Sequence, residues 1–112
     1  MATKLTSFRI NQQVKNMIGE LSEREGRSAR SSIHRRAILS FYKSSDRKVL
    51  PRLLITKRKD PMYVPRDVRE QIYVDDEMQQ MIDELVAVND NCSQGVVVFH
   101  ALLVYVTREL SK

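Results

Sequence analysis

Ser7 and Arg9 share one face of a short alternating segment, Thr6-Ser7-Phe8-Arg9-Ile10, whose other face carries Phe8 and Ile10. A second such segment, Gln71-Ile72-Tyr73-Val74, sets Gln71 and Tyr73 opposite its apolar residues, and Arg69 extends the same polar face. An arginine fork and a glutamine amide are the side chains suited to bidentate hydrogen bonds with flat polar edges. Guanine offers the paired acceptors that arginine needs, and adenine the donor and acceptor that glutamine needs. Ser7 is a permissive donor and acceptor. Leu5 and Tyr73 offer contact with a thymine methyl or a sugar, or simply pack.

A second set of residues suits anions. Arg27, Ser28, Ala29 and Arg30 fall where a helix should begin, and Ser93 and Gln94 fall at the start of another. Free backbone N–H groups and the helix dipole favour an anion such as phosphate at such starts. The first set brings arginines. The second brings no positive charge and is expected to grip phosphate more weakly. Arg35 and Arg36 lie further along the same helix, within reach of a phosphate backbone or in solvent.

Other chemistry is missing. There is no Ser/His/Asp or Cys/His constellation, no glycine-rich phosphate loop and no paired-carboxylate signature. No Cys/His/Asp spacing resembles a metal site, and His34 and His100 read as helix residues rather than ligands. Asp75-Asp76-Glu77 reads as an acidic cluster that complements a helix N-terminus. Cys92 lies in a turn beside a helix start, where a thiolate is favoured, but no partner residue accompanies it. The expectation is a protein that is not an enzyme and has no cofactor, no metal and no small-molecule substrate.

The elements that must hold these residues follow from periodicity. Period two marks Thr6–Ile10 and Gln71–Val74 as half-buried strands. After the first, Asn11 is an N-cap, Val14, Met17, Ile18 and Leu21 form a helical stripe, and Gly26 is a helix stop. Ser28 caps a second helix with Ile33, Ala37, Ile38 and Phe41 on its buried face, fraying near Ser44-Ser45. After the second strand, Asp75 caps a helix carrying Met78, Met81, Ile82 and Leu85. Asn89-Asp90-Asn91 forms a turn, and Ser93 caps a last helix with Val97, Ala101, Leu102 and Tyr105.

The two halves align without a gap at an offset of 64 residues. Phe8 then meets Ile72 and Ile10 meets Val74, and each helical stripe meets its counterpart. Core classes persist across the alignment while surface residues change, which is the pattern of a structural duplication. Between the halves, Lys57-Arg58-Lys59 and all three prolines mark a linker. Within it, Leu53-Leu54-Ile55 forms either a short strand or a strap over the core. The divisions are a first unit at 1–45, a basic Pro-containing linker at 46–68 and a second unit at 69–112. The fold class is mainly α with two short strands, whose pairing as a short two-stranded antiparallel β-ribbon is implied only by a family resemblance, carried by the turn after the first helix. Each half of the chain, about 50 residues, is marginal alone, and units of that size usually borrow core from a partner.

Charge separates the halves further. Residues 1–60 carry 15 Lys/Arg against 5 Asp/Glu, whereas residues 61–112 carry 4 against 9. A basic half beside an acidic half is expected where one part meets a polyanion. A single cysteine, no signal pattern and no apolar run of about 18 residues make a cytoplasmic protein without a membrane partner the expectation.

Glu25-Gly26-Arg27-Ser28, followed by Ile33 and Phe41, resembles the turn and second helix of the Arc/MetJ ribbon-helix-helix DNA-binding family. The resemblance runs from about Leu5 to Lys43. The second half matches in pattern only, with Asp90-Asn91-Cys92-Ser93 at the turn. The resemblance implies that strands pair antiparallel and that the exposed ribbon face reads DNA in the major groove. Two units in one chain are similar to the tandem, TraY-like arrangement of that family, which implies an intramolecular pseudo-dimer. The partner implied is double-stranded DNA, bound by a transcriptional repressor or plasmid-transfer accessory factor. The base-reading residues would be Ser7, Arg9, Arg69, Gln71 and Tyr73, and the phosphate-binding ones Arg27, Ser28, Ala29, Arg30, Ser93 and Gln94.

A competing reading is an antitoxin or adaptor whose acidic, apolar second half holds a partner protein. The last helix is apolar nearly all round, through Val96, Val98, Phe99, Leu103, Val104 and Val106. Such a helix is buried on more than one face. The surplus can pack under the linker or against another chain, and self-association through this helix is expected.

Overall fold

Strand β1 spans Thr3–Ile10, with Phe8 and Ile10 buried and Ser7 and Arg9 in solvent. The computed structural model describes residues 3–26 and 29–112. Asn11 follows the strand in extended conformation, and its Oδ1 accepts from the Val14 N–H at 2.9 Å. This cap starts helix α1, Gln12–Glu25. Gly26 stops it at φ 110°, its N–H donating to Ser22 O at 2.9 Å. A side chain there is strained even though nothing crowds the position. Helix α2 spans Ala29–Lys43 and ends beside Ser44, whose Oγ donates to Phe41 O at 2.7 Å.

The second half runs through strand β2 (Val68–Asp75), helix α3 (Asp76–Val88) and helix α4 (Gln94–Leu110). Asp75 Oδ1 accepts from Met78 N–H at 2.8 Å, and Ser93 Oγ accepts from Val96 N–H at 3.3 Å. Between the helices the chain reverses through Asp90 and Asn91, both at left-handed φ of 58° and 57°. Asp and Asn tolerate that region better than other side chains.

The two strands form one antiparallel two-stranded sheet in which Leu5 faces Tyr73, Ser7 faces Gln71 and Arg9 faces Arg69. One face of this ribbon is covered. Phe8, Ile10, Ile72 and Val74 join the helices in a single core, and α4 packs against α1, α2, α3 and β1. The helical stripes expected from spacing are buried, except Met17, which is only partly covered while its counterpart Met81 is buried.

Most of the surplus apolar surface of α4 is used inside the chain. Val96, Val98, Phe99 and Val106 are buried, Leu103 is half-buried and Val104 stays exposed. The linker supplies part of the cover. Residues Pro51–Leu54 form a 3-10 turn, not a strand, with Leu53 buried against α4. Proline at the start of this turn and the short Leu-Leu run favour a tight turn that presents one leucine inward. Among the described residues, no helix is long and apolar enough to cross a membrane.

The linker is also tied down by polar groups. Buried Asn89 accepts from Val49 N–H and donates to Arg47 O and Leu85 O, all at 2.8 Å. His100 Nδ1 accepts from Leu50 N–H at 3.2 Å. Burial lowers the His100 pKa, opposed by the charge of Asp46, which favours the neutral ring that this acceptor role requires. Both histidines thus sit in the core, since His34 is buried too. Asn89→Ala removes three hydrogen bonds and leaves buried backbone groups unpaired, so urea unfolding should report a loss of roughly 3 kcal/mol of stability. Hydrogen exchange at Val49 should quicken in the variant; unchanged protection there would show that Asn89 does not hold the linker.

Candidate nucleic-acid interface

The pleat sorts the ribbon's side chains into two faces. Leu5, Ser7, Arg9, Arg69, Gln71 and Tyr73 all lie on the exposed face. Among the described residues, no ion pair and no hydrogen bond engages the side chains of Ser7, Arg9, Arg69, Gln71 or Tyr73. The register arranges them in three cross-strand pairs: Leu5 with Tyr73 at one end, Ser7 with Gln71 in the middle, Arg9 with Arg69 at the other end. Like charges directly opposite one another destabilise a ladder. The Arg9–Arg69 pair therefore concentrates uncompensated positive charge at one end of an otherwise neutral face.

Beneath that end lies a buried carboxylate. Glu70 points inward from β2 and is 2% exposed. Arg30 of α2 grips it bidentately, Nε to Oε2 at 2.8 Å and Nη2 to Oε1 at 2.9 Å. His34 Nε2 lies 2.7 Å from Oε2, and Lys15 Nζ lies 3.5 Å from Oε1 while donating to Arg69 O at 2.6 Å. Burial alone pushes the Glu70 carboxyl up. The hydrogen bonds from His34 and Arg30, with the charge of Arg30, outweigh it and hold the pKa at about 2. His34 Nδ1 is buried without a hydrogen-bond partner among the described residues. The cluster locks β2 to α1 and α2 directly under the Arg9–Arg69 pair.

Arg30, expected at a helix start as a phosphate ligand, has its fork on Glu70 and keeps its side chain partly exposed. Arg35 pairs with Asp75 and Glu77, and Arg36 with Glu25, so both are held by carboxylates of the chain. The N–H of Met78 and the fork of Arg35 together hold the Asp75 carboxyl below the usual range. Ala29 begins α2, while Arg27 and Ser28 lie outside the described residues. At the start of α4, Ser93 caps the helix and Gln94 Oε1 accepts from Gln79 Nε2 at 3.1 Å.

The start of α4 was expected to be without positive charge; the linker places one there. Arg66 lies against Gly95, where a Cβ would stand 3.1 Å from Arg66 Nη1. No periodic signal marks Arg66, because it follows Pro65 in irregular chain and meets α4 through the tertiary fold. Glu70 was also missed. It continues the apolar side of the β2 alternation, and only its partners 36 and 40 residues away in sequence explain a carboxylate there.

Cys92 is half-buried, and burial pushes its thiol up, so the helix start does not activate it. Among the described residues, no group of three or more His, Cys, Asp or Glu is placed to hold a metal ion. Comparison of the chain with protein-family models, with curated proteins and with solved structures finds no match.

The depressed Glu70 pKa sets an acid limit. In the unfolded chain the carboxyl titrates near 4.5, in the folded chain near 2. Between those values the unfolded chain takes up a proton that the folded chain does not, so stability falls as pH falls through this window. The loss is on the order of 3 kcal/mol. Glu70→Gln should be less stable at pH 7 by a similar amount, because Arg30 and His34 lose their anion. It should also lack the wild-type loss between pH 4.5 and pH 2. Urea titrations across this range test both points; parallel wild-type and variant curves would count against the assignment.

Proposed function

We propose that this chain is a sequence-specific double-stranded DNA-binding protein that inserts its two-stranded ribbon in the major groove. The observation that carries the reading is the exposed ribbon face, where Arg9, Arg69, Gln71 and Ser7 stand side by side without internal partners. A B-DNA major groove admits a two-stranded ribbon, and Arg and Gln are the residues that bond guanine and adenine edges bidentately. Phosphate contacts would position the ribbon and supply salt-dependent affinity.

In this reading the chain is a fused pair of ribbon-helix-helix units, an intramolecular pseudo-dimer. Two relations support it. The element order β-α-α recurs on either side of the linker. The strand register also pairs Ser7 with Gln71, the two residues that the 64-residue offset makes equivalent. Two copies of one strand pairing antiparallel about a twofold axis must meet at an equivalent residue, and Ser7–Gln71 fulfils that requirement. A repressor or a plasmid-transfer accessory factor would use such a surface.

The three cross-strand pairs differ in chemistry, so the operator should be asymmetric, with its most strongly specified bases under Arg9 and Arg69. Selection of bound duplexes from a random pool, followed by the mass of the complex, gives site length and asymmetry together. Arg69→Ala and Gln71→Ala should each reduce discrimination by about 1–3 kcal/mol at separate base positions. Absence of saturable duplex binding, or wild-type selectivity in both variants, would sink the proposal.

A further inference from the structure

A pocket of about 260 Å³ opens at the arginine end of the ribbon, lined by Arg9, Arg58, Tyr63, Pro65, Arg66 and Asp67. Three of its six residues are arginines, one from β1 and two from the linker. A larger cavity of about 550 Å³ adjoins it, shares Arg58, Tyr63 and Arg66, and reaches Ser93 at the start of α4. Asp67 lines the first space and Asp90 the second. Yet among the described residues none of the three arginines has a carboxylate within ion-pair distance. This differs from Arg30, Arg35, Arg36 and Arg108, each of which is paired.

Arg66 is only partly exposed. Burial lowers its pKa, the charge of Arg9 adds to the lowering, and Tyr63 and Cys92 oppose it. A fold that gathers like charges and partly desolvates one of them loses stability unless an anion joins them. Glycine at position 95 lets the Arg66 fork lie close to the first turn of α4. Planar guanidinium forks match the oxygens of a phosphate, and several forks converging on one space favour it over a single carboxylate.

We propose that Arg58 and Arg66 form a seat for a phosphate oxyanion beside Arg9, supplied by the backbone of the same duplex just beyond the Arg9–Arg69 end of the ribbon. The assignment to a duplex rests on the function proposed above. The linker then acts as a DNA-contacting element on the acidic half of the chain. The seat grips one flank of the site only, because the residues that build it occur once.

Arg9 also lies on the ribbon's outer face, so the test uses Arg58→Gln and Arg66→Gln, with thermal unfolding to verify that both fold. Binding of the full chain to its selected duplex and to a scrambled duplex is measured over a range of salt. Each variant should weaken both duplexes by a similar factor of about ten. The slope of log affinity against log salt should fall by about 0.9 for each phosphate that the variant no longer neutralises. Phosphate-ethylation interference should vanish at one flank of the site and persist elsewhere.

Variants with wild-type slope and wild-type interference overturn the seat while leaving duplex binding intact. A wild-type chain that binds no duplex overturns the function and the duplex source together. Inorganic phosphate distinguishes the two sources. Binding of inorganic phosphate alone, abolished in both variants, with duplex binding unchanged, would identify a free phosphate ligand and overturn the assignment to the DNA backbone.

Discussion

A ribbon of two strands is marginal in water on its own, and the rest of this fold exists to cover one side of it. β1 and β2 pair across a long stretch of chain, and the helices between and after them close over Phe8, Ile10, Ile72 and Val74. Burying that face is what makes the other face available. The pleat leaves no choice: each side chain turned into the core sets its neighbours out in solvent. A slip of one residue would bury Arg9 and Gln71 and expose the core, so register and surface chemistry are one constraint.

Glu70 strengthens that constraint with an interaction of a different kind. An apolar residue at its position would pack in several ways. A buried carboxylate held by Arg30, His34 and Lys15 fits only one arrangement of β2 against α1 and α2. Breaking such a cluster leaves charges stranded in a dry interior, a penalty larger than the net gain from forming it. Glu70 also distinguishes the halves, since the 64-residue offset places Thr6 at the equivalent point of β1. The anion engages the fork of Arg30, which stays partly exposed, while its neighbour Arg69 points to the other face. The two sides of the ribbon therefore differ below the surface as well as on it.

The strands, the four helices and the three side-chain caps at Asn11, Asp75 and Ser93 were legible in the sequence, because each rests on spacing within a few residues. The exposed ribbon residues were legible for the same reason. The linker's path was not. Leu53 lies in a run that periodicity reads as strand or strap, and its burial depends on α4, some fifty positions later. The anion-seeking residues were the least legible. Arg30 stood at a helix start where a free cation was expected, and a carboxylate 40 residues away claimed it. Arg66 carried no signal, and folding brought it to the helix start that lacked a charge. Local patterns show which face a side chain takes, but a charge's partner is set by the tertiary path of the chain.

The hydrogen bonds that Asn89 and His100 make to the linker reach beyond stability. A ribbon assembled from two separate chains disappears on dilution, since its formation is a bimolecular equilibrium. Here both strands belong to one molecule, and the segment joining them is fastened to the core at Val49 and Leu50. A tether of this kind holds its ends at an effective concentration in the millimolar range or above. Strand pairing is then indifferent to concentration, and where only a handful of these molecules are present each still keeps its ribbon formed.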